Sequence, residues 1–140
     1  MQKISSEGRC LCEKIQFRVN GPVLGSAACH CRDCQHICGG APAYVIAVSK
    51  SSLEVFKGQP SRYANTADSG ARRTRHFCGN CGSPLFADDA SYPDVVTIKI
   101  GSLDDSSSFK PKAQLWTASA PAWHMMDRNI AEFPMGPGNS

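Results

Sequence analysis

The ten residues Cys29-His-Cys-Arg-Asp-Cys-Gln-His-Ile-Cys38 constrain this chain more than any other stretch, because they hold four of its eight cysteines. Cys29 and Cys31 are two apart, so in extended backbone both thiols point to one face and His30 to the other. Cys31 and Cys34 form a C-x-x-C step, a spacing that turns the chain around a tetrahedral metal. Three sulfurs can therefore converge from one short loop. Three protein ligands with a fourth position open is the pattern of a catalytic zinc, whereas structural zinc is usually closed by four.

The remaining cysteines sort the same way. Cys10 and Cys12 form a C-x-C, and Cys78 and Cys81 a C-x-x-C far along the chain. Together they make a Cys₄ set, and a metal closing so long a loop would restrict the unfolded ensemble and stabilise the whole fold. Incidental buried cysteines, disulfides and a redox-active C-x-x-C are the competing readings. The start of the chain has no apolar h-region, so no secretory signal is expected. That points to a reducing cytoplasmic compartment, where cysteines are metal ligands more often than cross-links. No βαβ pattern surrounds either C-x-x-C, which weighs against a redox motif. Cys38 is left over. It reads as a small buried hydrophobe, with a fourth ligand or a resolving thiol as the alternatives.

Around these pairs the chain reads as mostly β, with many short strands. Alternation predicts a strand from about Glu13 to Val19, entered through the Cys10–Cys12 pair and ended by an Asn20-Gly21-Pro22 turn. Val23 to Ala28 reads as extended. Ala41 to Val48 suits a buried strand. Leu53 to Phe56 and Arg62 to Ala64 read as short strands, and Val95 to Ile100 as a central one. Arg72 to Phe77 delivers the chain to the second half of the Cys₄ set, and Leu115 begins a last ordered segment running to about Trp123. At 140 residues, 41% of them hydrophobic, the chain suffices for one core. Residues 1–133 are expected to form a single zinc domain, with 134–140 as a flexible Pro/Gly-rich tail. No apolar run approaches a membrane span. The formal charge of +3 is too small to argue for nucleic acid.

The motif order C-x-C, C-H-C-x-x-C, R-x-F-C-x-x-C-G-S, G-S-L-D and W-x-x-S-x-x-P-x-W, over roughly residues 8 to 123, resembles the glutathione-dependent formaldehyde-activating enzymes, a family that includes centromere protein V. The resemblance implies twisted antiparallel sheets with zinc-binding loops, like those of methionine-R-sulfoxide reductases. It implies two zincs per chain. Cys10, Cys12, Cys78 and Cys81 match the structural ligands, and Cys29, Cys31 and Cys34 match the ligands of a second, catalytic zinc. It further implies a carbon–sulfur lyase acting on a thiol adduct such as S-hydroxymethylglutathione. Two positions depart from the family: Cys38, usually a small residue such as Ser, and Gln114, often His.

In such a site a bound thiol would be held as thiolate, the nucleophilic form. Arg32, Arg72, Arg73 and Arg75 are candidates for gripping the carboxylates of an anionic substrate, against the plainer reading of a solvated strand edge. His30 and His36 flank the second set and could relay protons; His30 is expected to face away from the sulfurs as a core group. His76 and His124 read as structural or surface residues, and Trp116 and Trp123 as core anchors. A zinc-stabilised binding module without catalysis is the rival from another class. A second site closed by Cys38 would favour it; an open one favours the enzyme.

Overall fold

A computed structural model describes residues 2–136. Its elements are β1 (Lys3–Arg9), β2 (Gln16–Pro22), β3 (Gly25–Cys29), α1 (Arg32–Cys38), β4 (Ala43–Ser49), β5 (Leu53–Lys57), β6 (Ser61–Thr66), β7 (Arg72–Phe77), β8 (Pro84–Asp89), β9 (Val95–Lys99), β10 (Ala113–Leu115) and β11 (Ala131–Phe133). The fold is mostly β, as the strand-rich pattern predicts. It forms two compact units: Met1–Gly25 with Ile46–Phe109, and Ser26–Val45 with Lys110–Ser140.

The first unit holds a three-stranded sheet in the order β1-β2-β5 and an antiparallel run β9-β8-β7-β6. Period-two alternation builds both. In β2, Phe17 and Val19 point inward and are fully buried, while Arg18 points out between Glu7 and Glu54, 3.0 Å from each. Phe17 meets Phe86 of β8 edge-on at 5.5 Å, a favoured aromatic geometry. Val48, Leu85, Val96, Ile98, Ile100 and Leu103 complete this core. Gly8 pairs across to Leu103. A Cβ there would fall 2.4 Å from the Phe17 ring and 2.6 Å from the Ser102 carbonyl oxygen, so only glycine permits this approach of backbone to core.

The second unit is smaller and its interior is partly polar. β10 runs parallel to both β3 and β11. Buried beside Ala27, Ala28 and Cys34 are His30, Gln35 and Gln114. β4 begins in this unit and ends in the other.

Several expectations need correction. The predicted strand from Glu13 to Val19 begins later, at Gln16, because residues 10–15 are held in a turn: the Cys10 amide donates to the Ile15 carbonyl (3.1 Å) and the Glu13 amide to the Cys10 carbonyl (3.2 Å). It also runs through the expected turn at Asn20-Gly21-Pro22, which pairs with Lys3, Ile4 and Ser5 of β1. β1 itself escaped the pattern because its sequence, KISSEGR, is mostly polar. The region after Cys31 is a helix, α1, where a loop was expected. Trp123 is 74% exposed and is no core anchor. At the C-terminal end, the carbonyls of Pro134 and Met135 accept from the amides of Ala118 and Trp116. The rest of the expected tail, 137–140, lies outside the described residues.

Candidate metal centres

The first sulfur cluster is built by two turns of the first unit. Cys10 and Cys12 lie in the turn between β1 and β2, where Glu13 adopts a left-handed conformation (φ 68°). Cys78 and Cys81 lie in the turn between β7 and β8. There the Gly82 amide donates to the Cys78 carbonyl (2.8 Å) and the Cys78 amide to the Ser83 carbonyl (3.0 Å). Gly82 has φ 80°, a conformation glycine adopts without strain. The two turns are tied together by the Leu11 amide, which donates to the Ser83 hydroxyl at 3.0 Å.

All four sulfurs lie within 4.8 Å of one another. Cys12 Sγ is 3.7 Å from both Cys10 Sγ and Cys78 Sγ. Thiolates about 2.3 Å from a tetrahedral zinc stand about 3.8 Å apart, so the donor set fits such an ion. Backbone amides already face the sulfurs: Ile15 N lies 3.3 Å from Cys10 Sγ and Asn80 N 3.4 Å from Cys78 Sγ. Hydrogen bonds to sulfur favour the charged form. The Ser83 hydroxyl, 3.2 Å from Cys81 Sγ, together with the backbone of Ser83 and Cys12, brings the Cys81 thiol down to about 5. Cys12 is lowered as well, chiefly by the Asn80 side chain.

The second cluster belongs to the second unit and comes from one continuous stretch. Cys29 ends β3. His30 continues its pairing, with its amide donating to the Leu115 carbonyl at 2.9 Å. Cys31 is the N-cap of α1, its sulfur accepting from the Cys34 amide at 3.3 Å, in the role an Asp or Ser oxygen usually fills. Cys34 sits in the first turn. Their three sulfurs also lie within 4.8 Å of one another. Crowding sets their chemistry. Hydrogen bonding from Cys31 and Cys34, followed by burial, pushes the Cys29 thiol far above its ordinary value. Three thiolates cannot share this volume alone, whereas a divalent cation would neutralise most of their charge. The soft donor set fits zinc.

Cys38 stands apart. It is exposed at the last position of α1 and is not a member of the sulfur group. The expectation of a small buried residue is therefore wrong. A helix turns by about 100° per residue, so the four steps from Cys34 carry Cys38 one turn along the axis and away from the strand end that supplies Cys29.

The structure also shows what holds this stretch. Gln35, buried, donates from Nε2 to the His30 carbonyl (2.8 Å) and the Ser119 carbonyl (3.1 Å), while its Oε1 accepts from Arg32 Nη1. His30 is fully buried, with Nδ1 3.0 Å from the Leu115 carbonyl and its ring 5.0 Å from that of His124. Burial lowers its affinity for a proton. His36 is exposed beside Arg32, 3.5 Å from Nη2. Gln114 is buried on β10, its Nε2 3.4 Å from the Asp127 carbonyl.

The four arginines singled out from the sequence have different fates. Arg72, Arg73 and Arg75 lie on β7, which has neighbours on both sides and is not a strand edge. Arg72 is exposed. Arg73 pairs with Asp89 at 3.2 Å, and Arg75 is buried against Asn65. Arg32 belongs to the other unit, on α1. His76 is structural, 2.9 Å from Asp88. Sequence reasoning missed Gln35 and Ser83. Ser83 lay inside a recognised motif, but a hydroxyl aimed at a sulfur has no sequence signature, and neither does an amide bridging two carbonyls.

The chain is similar to known proteins over most of its length. The sequence pattern of the family described as glutathione-dependent formaldehyde-activating enzyme matches residues 5–119, which includes both sulfur clusters. A Halomonas elongata protein whose name carries that same description is 27% identical over 139 residues, covering 91% of this chain and 88% of the relative. A crystal structure of a Rhodobacter sphaeroides protein superposes with a TM-score of 0.58 at 20% identity, over 75% of this chain and 91% of that one, and shares the fold. With two cysteine clusters in place and the family pattern spanning most of the chain, the protein belongs to the glutathione-dependent formaldehyde-activating enzyme family.

Proposed function

We propose that this chain is a zinc-dependent enzyme of carbon–sulfur lyase type, acting on the adduct of glutathione and a small aldehyde such as formaldehyde. Two zincs per chain are part of the reading. One, held by Cys10, Cys12, Cys78 and Cys81, is structural; the other, held by Cys29, Cys31 and Cys34, is catalytic. The observation that carries it is the three-sulfur group with Cys38 outside it, because three ligands leave a coordination position for a substrate thiol. Zinc at that position would keep the thiol as its nucleophilic thiolate at neutral pH.

In the forward direction the glutathione sulfur adds to the aldehyde carbon. A C–S bond forms, the C=O π pair moves to oxygen, and the proton lost by the thiol ends on the new hydroxyl. The reverse cleavage returns thiol and aldehyde. His36, exposed beside Arg32, is the proposed group for exchanging that proton with solvent, whereas His30 is enclosed and committed at Nδ1. Arg32, Arg72, Arg73 and Arg75 are the candidate contacts for the substrate carboxylates. Residues 1–133 act as one domain in this reading, since the family match crosses both units. No helix among the described residues is long and apolar enough to cross a membrane. The proposed setting is the cytoplasm, with glutathione as partner and without nucleic acid.

The test is exchange spectroscopy on glutathione, formaldehyde and their hemithioacetal. Zinc-loaded protein should speed the interconversion above the buffer rate, and Cys34→Ser should not. No acceleration by fully loaded wild-type protein would leave the zinc-stabilised binding module as the better reading.

A further inference from the structure

Arg75 is only 6% exposed. A charged group so far out of water is normally compensated by an opposite charge, because desolvation is costly. Among the described residues no carboxylate pairs with it. The two acids of the neighbouring strand β8 are engaged elsewhere: Asp89 with Arg73 at 3.2 Å, and Asp88 with His76 at 2.9 Å and Lys50 at 3.9 Å. The hydrogen-bond partner of Arg75 is neutral, the Asn65 side-chain oxygen, 2.7 Å from Nη1.

A guanidinium has five N–H donors in a rigid fork. Among the described residues, the buried side-chain atoms that lack both solvent and a partner are His30 Nε2 and Gln114 Oε1. Nε and Nη2 of Arg75 are not among these sealed, unpartnered atoms. Strand register places Tyr63, Arg75, Ala87 and Thr97 in one row across β6, β7, β8 and β9. Side chains in such a row share a face. None of the four carries negative charge. Asn65 holds Nη1, and the Nε–Nη2 edge is the one with the geometry for two parallel N–H···O bonds.

We propose that Arg75 is the receptor for a carboxylate of a small anionic ligand. The proposal rests on the glutathione reading for its choice of probe, and it assigns carboxylate capture to one arginine of the four. Arg73 is neutralised by Asp89, Arg32 is tied to Gln35, and Arg72 is exposed.

The probe is S-methylglutathione, which keeps both carboxylates of glutathione but has no thiol for a metal. It is titrated into zinc-loaded protein while the arginine Nε–H resonances are followed. A saturable shift at Arg75 is expected. Binding should weaken roughly tenfold or more in Arg75→Gln, which loses charge and fork, and several-fold in Arg75→Lys, which keeps the charge alone. Arg128→Gln, at an arginine paired with Glu132 and outside the candidate contacts, should bind as wild type does, and acetate should compete at higher concentration. Equal binding by wild type and Arg75→Gln, or no perturbation of Arg75 by either probe, overturns the proposal. Should Arg75→Gln not fold, the wild-type resonance and Arg75→Lys decide it. The two readings fail separately. Binding at Arg75 without acceleration of adduct formation keeps the receptor and removes the enzyme, whereas acceleration with no S-methylglutathione binding at Arg75 keeps the enzyme and removes the receptor.

Discussion

The side-chain amide of Gln35 donates to the main-chain carbonyl of His30 at 2.8 Å, so a buried residue of α1 grips the peptide between two cysteines of the second cluster. The same amide reaches the Ser119 carbonyl at 3.1 Å. Gln35 thereby fixes the angle between the end of β3, which carries Cys29, and the start of α1, which carries Cys34. Residues that orient ligands typically contribute about 10–100-fold to metal affinity. Gln35→Glu, which sets a carboxylate against two carbonyl oxygens, should weaken the second site by about that factor and leave the first unchanged. Competition with a chromophoric chelator measures both affinities, and cobalt absorption bands of the second site should shift. Equal affinities in a folded variant would make Gln35 a packing residue only.

The two clusters should separate by mutation. Cys81 belongs to a set that joins turns 66 or more residues apart, so binding there and folding of the first unit are one equilibrium. Cys34 belongs to a set confined to one short stretch. Cys81→Ser should lower the melting temperature steeply. Cys34→Ser should lose one metal with a much smaller shift. Cys38→Ser, at an exposed position outside the cluster, should keep both metals. Zinc content and melting curves for the three variants side by side check this. A Cys34→Ser variant that melts as early as Cys81→Ser would contradict the division.

Acid should strip the second site first. Cys81 is held down to about 5 by the Ser83 hydroxyl and nearby backbone amides, and Cys12 is lowered too, so protons compete weakly with a metal for these two sulfurs. Cys29 is raised by its sulfur neighbours and by burial, so protons compete there at higher pH. The linkage has the same sign: a depressed thiol contributes stability that is present above its unfolded value and is lost as pH falls through the folded one. Metal release followed from pH 8 to pH 4 should show two steps. Ser83→Ala should move the more acidic step upward, and a variant that leaves it in place would show that the hydroxyl does not hold the thiolate.

Gly8→Ala should destabilise the first unit by roughly 1–3 kcal/mol, the usual cost of forcing atoms into a packed core. The added methyl would meet the Phe17 ring and the Ser102 carbonyl, and Phe17 is fully buried against Phe86. Urea unfolding of metal-loaded protein gives the number. A change below about 0.5 kcal/mol, the scale of an ordinary surface substitution, would mean that the backbone yields at this point.

The cysteine spacing by itself determined the sorting of seven sulfurs into a set of four and a set of three, because C-x-C and C-x-x-C are local geometries that bring sulfurs together whatever surrounds them. Period-two alternation determined several strands of the first unit, such as β2 and β9, since a strand with one buried face must write that face into its sequence. Tertiary structure decided the rest. β1 carries a mostly polar sequence and is a strand because β2 offers it a hydrogen-bonding edge. The stretch after Cys31 is helical because the Cys31 sulfur caps it, the Gly39 amide closes it onto the Gln35 carbonyl, and Gln35 anchors it to His30 and Ser119. Cys38 lies outside the sulfur group only because that helix carries it a turn beyond Cys34. The burial of Arg75 without a carboxylate was equally illegible, because a basic run such as Arg72-Arg-Thr-Arg75 shows its charges but not which of them the neighbouring acids neutralise. That assignment depends on the register of β7 against β8, a contact between residues more than ten positions apart, which no local pattern records.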